Sequence, residues 1–111
     1  MESYKLTVHE IRNLINKREL SIQELVQGVI QRIDSTENQI GSFVTLNIDK
    51  ALHQAETLDQ LISQETKLSK LAGIPIGIQD NICTQGIRTT CASQILGNFV
   101  PPYDASVIEK L

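Results

Sequence analysis

Apolar residues recur at helical intervals through most of the first half of the chain. In LTVHEIRNLINKREL (6–20), Val8, Ile11, Leu14 and Ile15 keep that spacing. Thr7 precedes the run and Glu10 stands three residues later. This is the spacing of a capping box, in which a hydroxyl and a carboxylate each accept from the other residue's free backbone N–H. SIQELVQGVIQRID (21–34) repeats the device with Ser21 and Glu24. Its Ile22, Leu25, Val26, Val29, Ile30 and Ile33 form one stripe that must be buried against something. Lys17–Leu20 is a short connection, so these two helices are expected to form a hairpin. GSFVTLN (41–47) is short and rich in β-forming residues, which predicts a strand over 43–46. Asn47 then stands where it can cap a third amphipathic helix, whose Ile48, Ala51, Leu52, Ala55, Leu58 and Ile62 share a face. ETKLSK (65–70) reads as a polar loop.

From Leu71 the pattern changes. GIPIGI (73–78) is a nearly continuous apolar run, the signature of a strand buried on both faces, with Pro75 limiting hydrogen bonding on one side. QDNICTQGIRTTCAS (79–93) follows, with Gly86 as a turn residue and Thr89, Thr90 and Ser93 as hydroxyls. Pro101 and Pro102 impose an extended segment. Asp104 and Ser106 are alternative caps for a last helix starting at Val107. SVIEKL gives that helix barely more than one turn, too short to be stable alone. Two strands make a poor sheet domain. The chain therefore reads as the opening of a larger α/β protein.

Composition narrows the function classes. At 111 residues the chain fits one small domain, and 41% hydrophobic residues suffice for a core. The net charge is −3 and the sequence holds no run of basic residues, which argues against direct binding of nucleic-acid phosphates. Two cysteines, Cys83 and Cys91, are too few for a disulfide framework and match no zinc spacing, so both are expected as reduced thiols, with Cys91 packed. His9 and His53 are expected at the helix surfaces. The N-terminus has no apolar leader segment and no apolar run approaches membrane-spanning length, which gives the expectation of a soluble cytoplasmic protein without membrane contact.

Three segments carry a more specific signal. LAGIPIGIQDN (71–81), TQGIRTT (84–90) and PPYDASVIEKL (101–111) together resemble the N-terminal portion of the amidase-signature family. Within it the A subunits of Glu-tRNA(Gln) amidotransferases are most similar. Their pattern is LAGIP-[IV]-[AG]-[IV]-K-D-N, then T-x-G-x-x-T-T, then P-x-x-D-A-x-V. The helices and SFVTLN occur in the same order in those subunits, so the resemblance spans the chain. It implies an α/β class with a mixed sheet, of which residues 1–111 are an incomplete part: a helical hairpin over 1–35 and the first strands and helices of the core over 36–111.

The resemblance also implies a mechanism and a departure from it. The family uses a Ser–cis-Ser–Lys arrangement, in which a lysine on the strand after LAGIP acts through a bridging serine as the base for a nucleophilic serine. Gln79 stands at the lysine position, and a carboxamide takes up no proton near neutral pH. The family's two serines lie in a Gly/Ser-rich stretch, and no such stretch occurs in these 111 residues. This polypeptide is therefore expected to be inactive alone. Asp80 and Asn81 match the polar pair after the lysine, either supporting that lysine or closing the strand with an Asx turn. Thr89, Thr90 and Ser93 match a segment near the family's active site, although loop hydroxyls commonly bond backbone. No cofactor or metal is expected on this chain; ATP and Mg are implied only for a partner subunit. The partners implied are the amidotransferase B and C subunits, with tRNA reached only through the complex. The alternative is a non-catalytic module that docks on those subunits.

Overall fold

A computed structural model describes residues 2–111. These form two compact units: the residues up to Gly41 together with Ile48–Pro75, and Ser42–Asn47 together with Ile76–Leu111.

The first unit is helical. A 3₁₀ turn, Ser3–Lys5, leads into α1 (Val8–Asn16), α2 (Ile22–Ile40) and α3 (Ile48–Ser63). The capping box before α1 is complete: Thr7 Oγ1 accepts from Glu10 N at 3.2 Å, and Glu10 Oε2 accepts from Thr7 N at 2.7 Å. Ser21 caps α2 by accepting from Glu24 N at 3.1 Å. The two amides before it go to Asp59 on α3, whose Oδ1 and Oδ2 accept from Ile22 N and Gln23 N, each at 2.9 Å. Three free N–H groups at the start of α2 are thus satisfied, and a carboxylate sits where the helix dipole favours negative charge. α2 ends at Gly41, whose φ of +62° is the left-handed conformation of a helix C-cap.

The core follows the apolar stripes. Ile11 and Ile15 of α1, Leu20 just before α2, Ile22, Leu25 and Val26 of α2, and Ala55 of α3 are buried together. Val29, Ile30, Ala51, Leu52, Leu58 and Ile62 pack around them. Burying a side chain such as Leu25 stabilises the unit by roughly 1.5–3 kcal/mol. The main partner of α2 is α3. Asp59 gives a polar reason for that pairing, because α3 supplies the acceptors that the start of α2 needs. Val8, although it keeps the helical spacing, is exposed.

After α3 the chain returns to the same core. Arg12 Nη1 donates to Ala72 O at 3.2 Å. Gly73 has φ +82°, and a Cβ there would lie 2.5 Å from Ile22 Cδ1, so both conformation and space demand glycine. Ile74 joins the core from this segment.

The second unit differs from expectation. No strand forms among the described residues, either at 43–46 or at 73–78; the single bridge pairs Thr84 with Ile87 across the Gln85–Gly86 turn. The α/β class is thus met here only in its helical part. The reason is physical. A strand's N–H and C=O groups need a neighbouring strand, and GIPIGI finds none among the described residues. Ile76 and Ile78 accordingly stand exposed, although the sequence marks them for burial.

The last helix, α4 (Ser106–Glu109), begins one residue before the expected Val107. Its N-cap is Ala105, which offers no side-chain cap; neither Asp104 nor Ser106 fills that role. Among the described residues no helix is long and apolar enough to cross a membrane.

Candidate functional site

The apolar run delivers Gln79 into a tight turn. Ile82 N donates to Gln79 O at 3.1 Å, closing residues 79–82 through backbone alone. Gln79 and Asn81 are exposed, and neither side chain makes a hydrogen bond among the described residues.

Asp80 is the organising residue. Its Oδ1 accepts from Thr90 N at 2.8 Å, and its Oδ2 accepts from both the Thr90 hydroxyl and, at 3.0 Å, Ala92 N. Its backbone carbonyl accepts from Cys91 N at 2.9 Å. Three consecutive amides thus converge on one residue. The cost is a backbone turn in which Cys91 (φ +51°) and Ala92 (φ +55°) are both left-handed, a conformation that L residues rarely adopt. Thr89 and Thr90 are each only 4% exposed. The Thr90 hydroxyl, foremost, and the Thr90 and Ala92 amides all bond the charged carboxylate and hold the Asp80 carboxyl below its ordinary pKa.

Of the two sequence readings of Asp80, the local Asx turn is not what its carboxylate does: it reaches ten to twelve residues along the chain to the Thr90–Ala92 turn. Thr89 Oγ1 donates to Ile87 O at 3.2 Å, the backbone bond expected of a loop hydroxyl. Ser93 joins through its backbone, its N–H donating to Thr90 O at 2.9 Å. Cys91, expected as a packed thiol, is exposed, because the left-handed turn carries it outward.

A second set of bonds steadies this turn from behind. Residues 83–89 run beside 99–105, with Thr89 N donating to Phe99 O, Gly86 N to Pro101 O and Ala105 N to Cys83 O, at 3.0, 3.1 and 2.8 Å. Asp104 Oδ1 accepts from Gln85 N at 2.6 Å, which is why it is not the cap of α4. The prolines at 101 and 102 have no N–H to contribute, so the pairing is irregular and no strand results. The Cys83 thiol lies 3.7 Å from the Tyr103 hydroxyl and pushes the phenol pKa up.

The site thus unites Asp80, Thr89 and Thr90, with Ser93 beside them, and leaves Gln79 and Asn81 facing outward from the turn. Asp104 was missed as a partner of this loop, because its link to Gln85 spans 19 residues and follows no local periodicity. Nothing in this arrangement supplies a base. A carboxylate that already accepts three hydrogen bonds, and whose proton affinity is lowered by them, is a structural anion.

Known proteins place these observations. The family model described as Amidase matches residues 24–111. The chain is similar over all of its 111 residues to proteins named as the A subunit of glutamyl-tRNA(Gln) amidotransferase, with 48% identity in Heliobacterium modesticaldum and 46% in Desulforamulus reducens. A protein of Clostridium acetobutylicum, named as the second of two such A subunits, is 47% identical over the same span. In each comparison the chain spans 23% of the relative's length. With the family model covering most of its residues, including the whole Gln79–Ser93 turn, this chain belongs to the amidase family.

Proposed function

We propose that this chain is an N-terminal portion of an amidotransferase component of the A type, a segment that builds the frame of the amide-hydrolysing site without supplying its base. In the activity this implies, a serine attacks the carboxamide of glutamine, ammonia leaves, and a partner's ATP-dependent step uses it to convert Glu-tRNA(Gln) to Gln-tRNA(Gln). The setting proposed is cytoplasmic, in a complex with B and C subunits, with ATP and Mg held by a partner and no cofactor on this chain.

The observation that carries the reading is the pairing of an intact frame with an altered tip. Asp80 still ties Thr90 and Ala92, while Gln79 stands immediately before it. A carboxamide keeps length and hydrogen bonding but cannot shuttle a proton, a loss of about 10²- to 10⁴-fold on the usual scale of acid–base help. These 111 residues also hold no Gly/Ser-rich pair of serines, so alone they release no ammonia from glutamine.

The test is a splice. Residues 1–111 replace the matching segment of the Heliobacterium modesticaldum relative, co-expressed with its partners, and ammonia release from glutamine is measured. The spliced protein is expected to be slower than its Gln79→Lys version by about 10²-fold or more. Equal rates for the two would end the reading of Gln79 as a lost base.

A second reading has its own observation. Ile95 is 95% exposed, and Phe99, Val100, Tyr103 and Val107 stand exposed in the same unit. A non-catalytic module docking on amidotransferase subunits would use such side chains. A co-purification of the chain with the C subunit, lost on Ile95→Asp with Val100→Asp, supports it; no complex removes it.

A further inference from the structure

The segment following α3 encloses, with the end of α1, a cleft of about 470 Å³ within the helical unit. Four cations line it: Arg12 of α1, Arg18 just beyond α1, and Lys67 and Lys70 of the segment after α3. Glu65 is the one acid. Ile15 and Ile62 contribute apolar surface. Arg12 uses one N–H on Ala72 O, whereas Arg18, Lys67 and Lys70 have no carboxylate within 4 Å among the described residues. A local positive excess of this kind is notable on a chain whose net charge is −3.

Helix dipoles account for part of it. Cations are favoured at helix C-termini, and Arg18 follows the end of α1 directly. The effect fades within the last turn, however, and Lys67 and Lys70 lie beyond a turn's length past Ser63, the last residue of α3. Their convergence on the cleft needs another cause.

We infer that this cleft binds an acidic peptide segment of a partner protein, its carboxylates meeting the four cations and an apolar side chain resting on Ile15 and Ile62. The chemistry selects that ligand. The volume suits several side chains and exceeds what one phosphate requires. No aromatic residue lines the cleft to stack a base, and the overall negative charge opposes a long polyanion. Mixed cationic and apolar lining matches a peptide that alternates acidic and apolar residues. The inference stands independently of the amidase chemistry, because every lining residue belongs to the helical unit.

The experiment uses the 111-residue chain and a short fluorescein-labelled peptide of alternating Glu and Leu, read by fluorescence anisotropy. Binding is expected to weaken about tenfold or more on Lys67→Glu with Lys70→Glu, and likewise on raising salt from low to about 0.5 M. Arg18→Gln, which removes one charge without adding an opposite one, is expected to weaken it about threefold. Lys110→Glu, in the other unit, leaves it unchanged. Circular dichroism of each variant confirms that the helices persist. The inference is overturned if the lysine pair reversal leaves binding unchanged with helices intact. Equal affinity for the same peptide with Gln in place of Glu overturns it too, as does displacement of the peptide by inorganic phosphate or by a single-stranded oligonucleotide at equal concentration.

Discussion

The helical unit and the unit that contains residues 76–111 solve the same problem with unequal success. The first hides its apolar stripes: Leu25 and Ile22 are each 1% exposed, and α1, α2 and α3 all contribute to one core. The second leaves Ile76, Ile95, Phe99, Val100 and Val107 exposed, and what it buries instead is Thr89, Thr90 and Pro101. The difference lies in what each kind of segment demands. A helix satisfies its own backbone and needs only one apolar partner. A segment written as a buried strand needs neighbours for its backbone and for both faces. In a chain that spans 23% of its relatives' length, the first demand is met within the unit and the second is not. Order in the second unit comes instead from polar ties, above all Asp80.

Mutations can break that contrast. The largest effect is expected at the centre of the helical core, where Leu25→Ala removes a fully buried side chain and costs about 2–5 kcal/mol in urea unfolding followed by helical circular dichroism. Ile95→Ala, at an almost fully exposed side chain, stays within about 0.5 kcal/mol. Equal costs at the two sites would contradict the division. Gly73→Ala comes next. Its φ of +82° and the 2.5 Å approach to Ile22 Cδ1 act together, so a loss of more than about 1 kcal/mol is expected in the same measurement.

The same contrast explains what the sequence made legible. The capping box at Thr7 and Glu10, the Ser21 cap and the stripe through Ile22, Leu25 and Val26 are local or periodic features, and each appears as read. The link from Asp59 to the start of α2 spans 36–37 residues and leaves no periodic trace. The strands at 43–46 and 73–78 were overread because composition reports what a segment favours, and pairing depends on neighbours. Gln79, Asp80, Thr89, Thr90 and Ser93 were found by pattern, but their arrangement was not. Asp80 reaches past the local turn that its residue type suggests, and the strained pair at Cys91 and Ala92 carries no glycine to announce it. The cationic cleft was invisible for a similar reason, since Arg12 and Arg18 stand far along the chain from Lys67 and Lys70.

Acid is expected to loosen the second unit at its polar tie. The Asp80 carboxyl is held below its usual range because Thr90 and Ala92 bond its charged form. A depressed folded-state pKa means that the tie is complete above the ordinary aspartate value near about 4 and is lost as pH falls through the lowered value. Amide exchange at Thr90 and Ala92 should therefore accelerate only in that acid window. Asp80→Asn, which exchanges one acceptor oxygen for a donor, should speed it about tenfold at neutral pH while leaving the helical unit protected. If neutral-pH exchange at those two amides is the same in Asp80→Asn, the carboxylate does not hold the turn.

The smallest expected effect is the most specific to this turn. Ala92 sits at φ +55°, where the clash of Cβ with the backbone costs an L residue about 1–2 kcal/mol. Glycine removes that clash but enters with a freer unfolded chain, which offsets about 0.4–1 kcal/mol. Ala92→Gly should therefore stabilise the turn by about 0.5 kcal/mol net, seen as slower amide exchange at Thr90 and Ala92 with no change in helical signal. The sign is what discriminates. Strain relieved at Ala92 would mean that the Asp80 bonds hold the backbone against its own preference, so that polar ties do in this unit what apolar packing does in the helical one. A destabilising Ala92→Gly would mean instead that the methyl group contributes packing there, and the contrast between the two units would narrow accordingly.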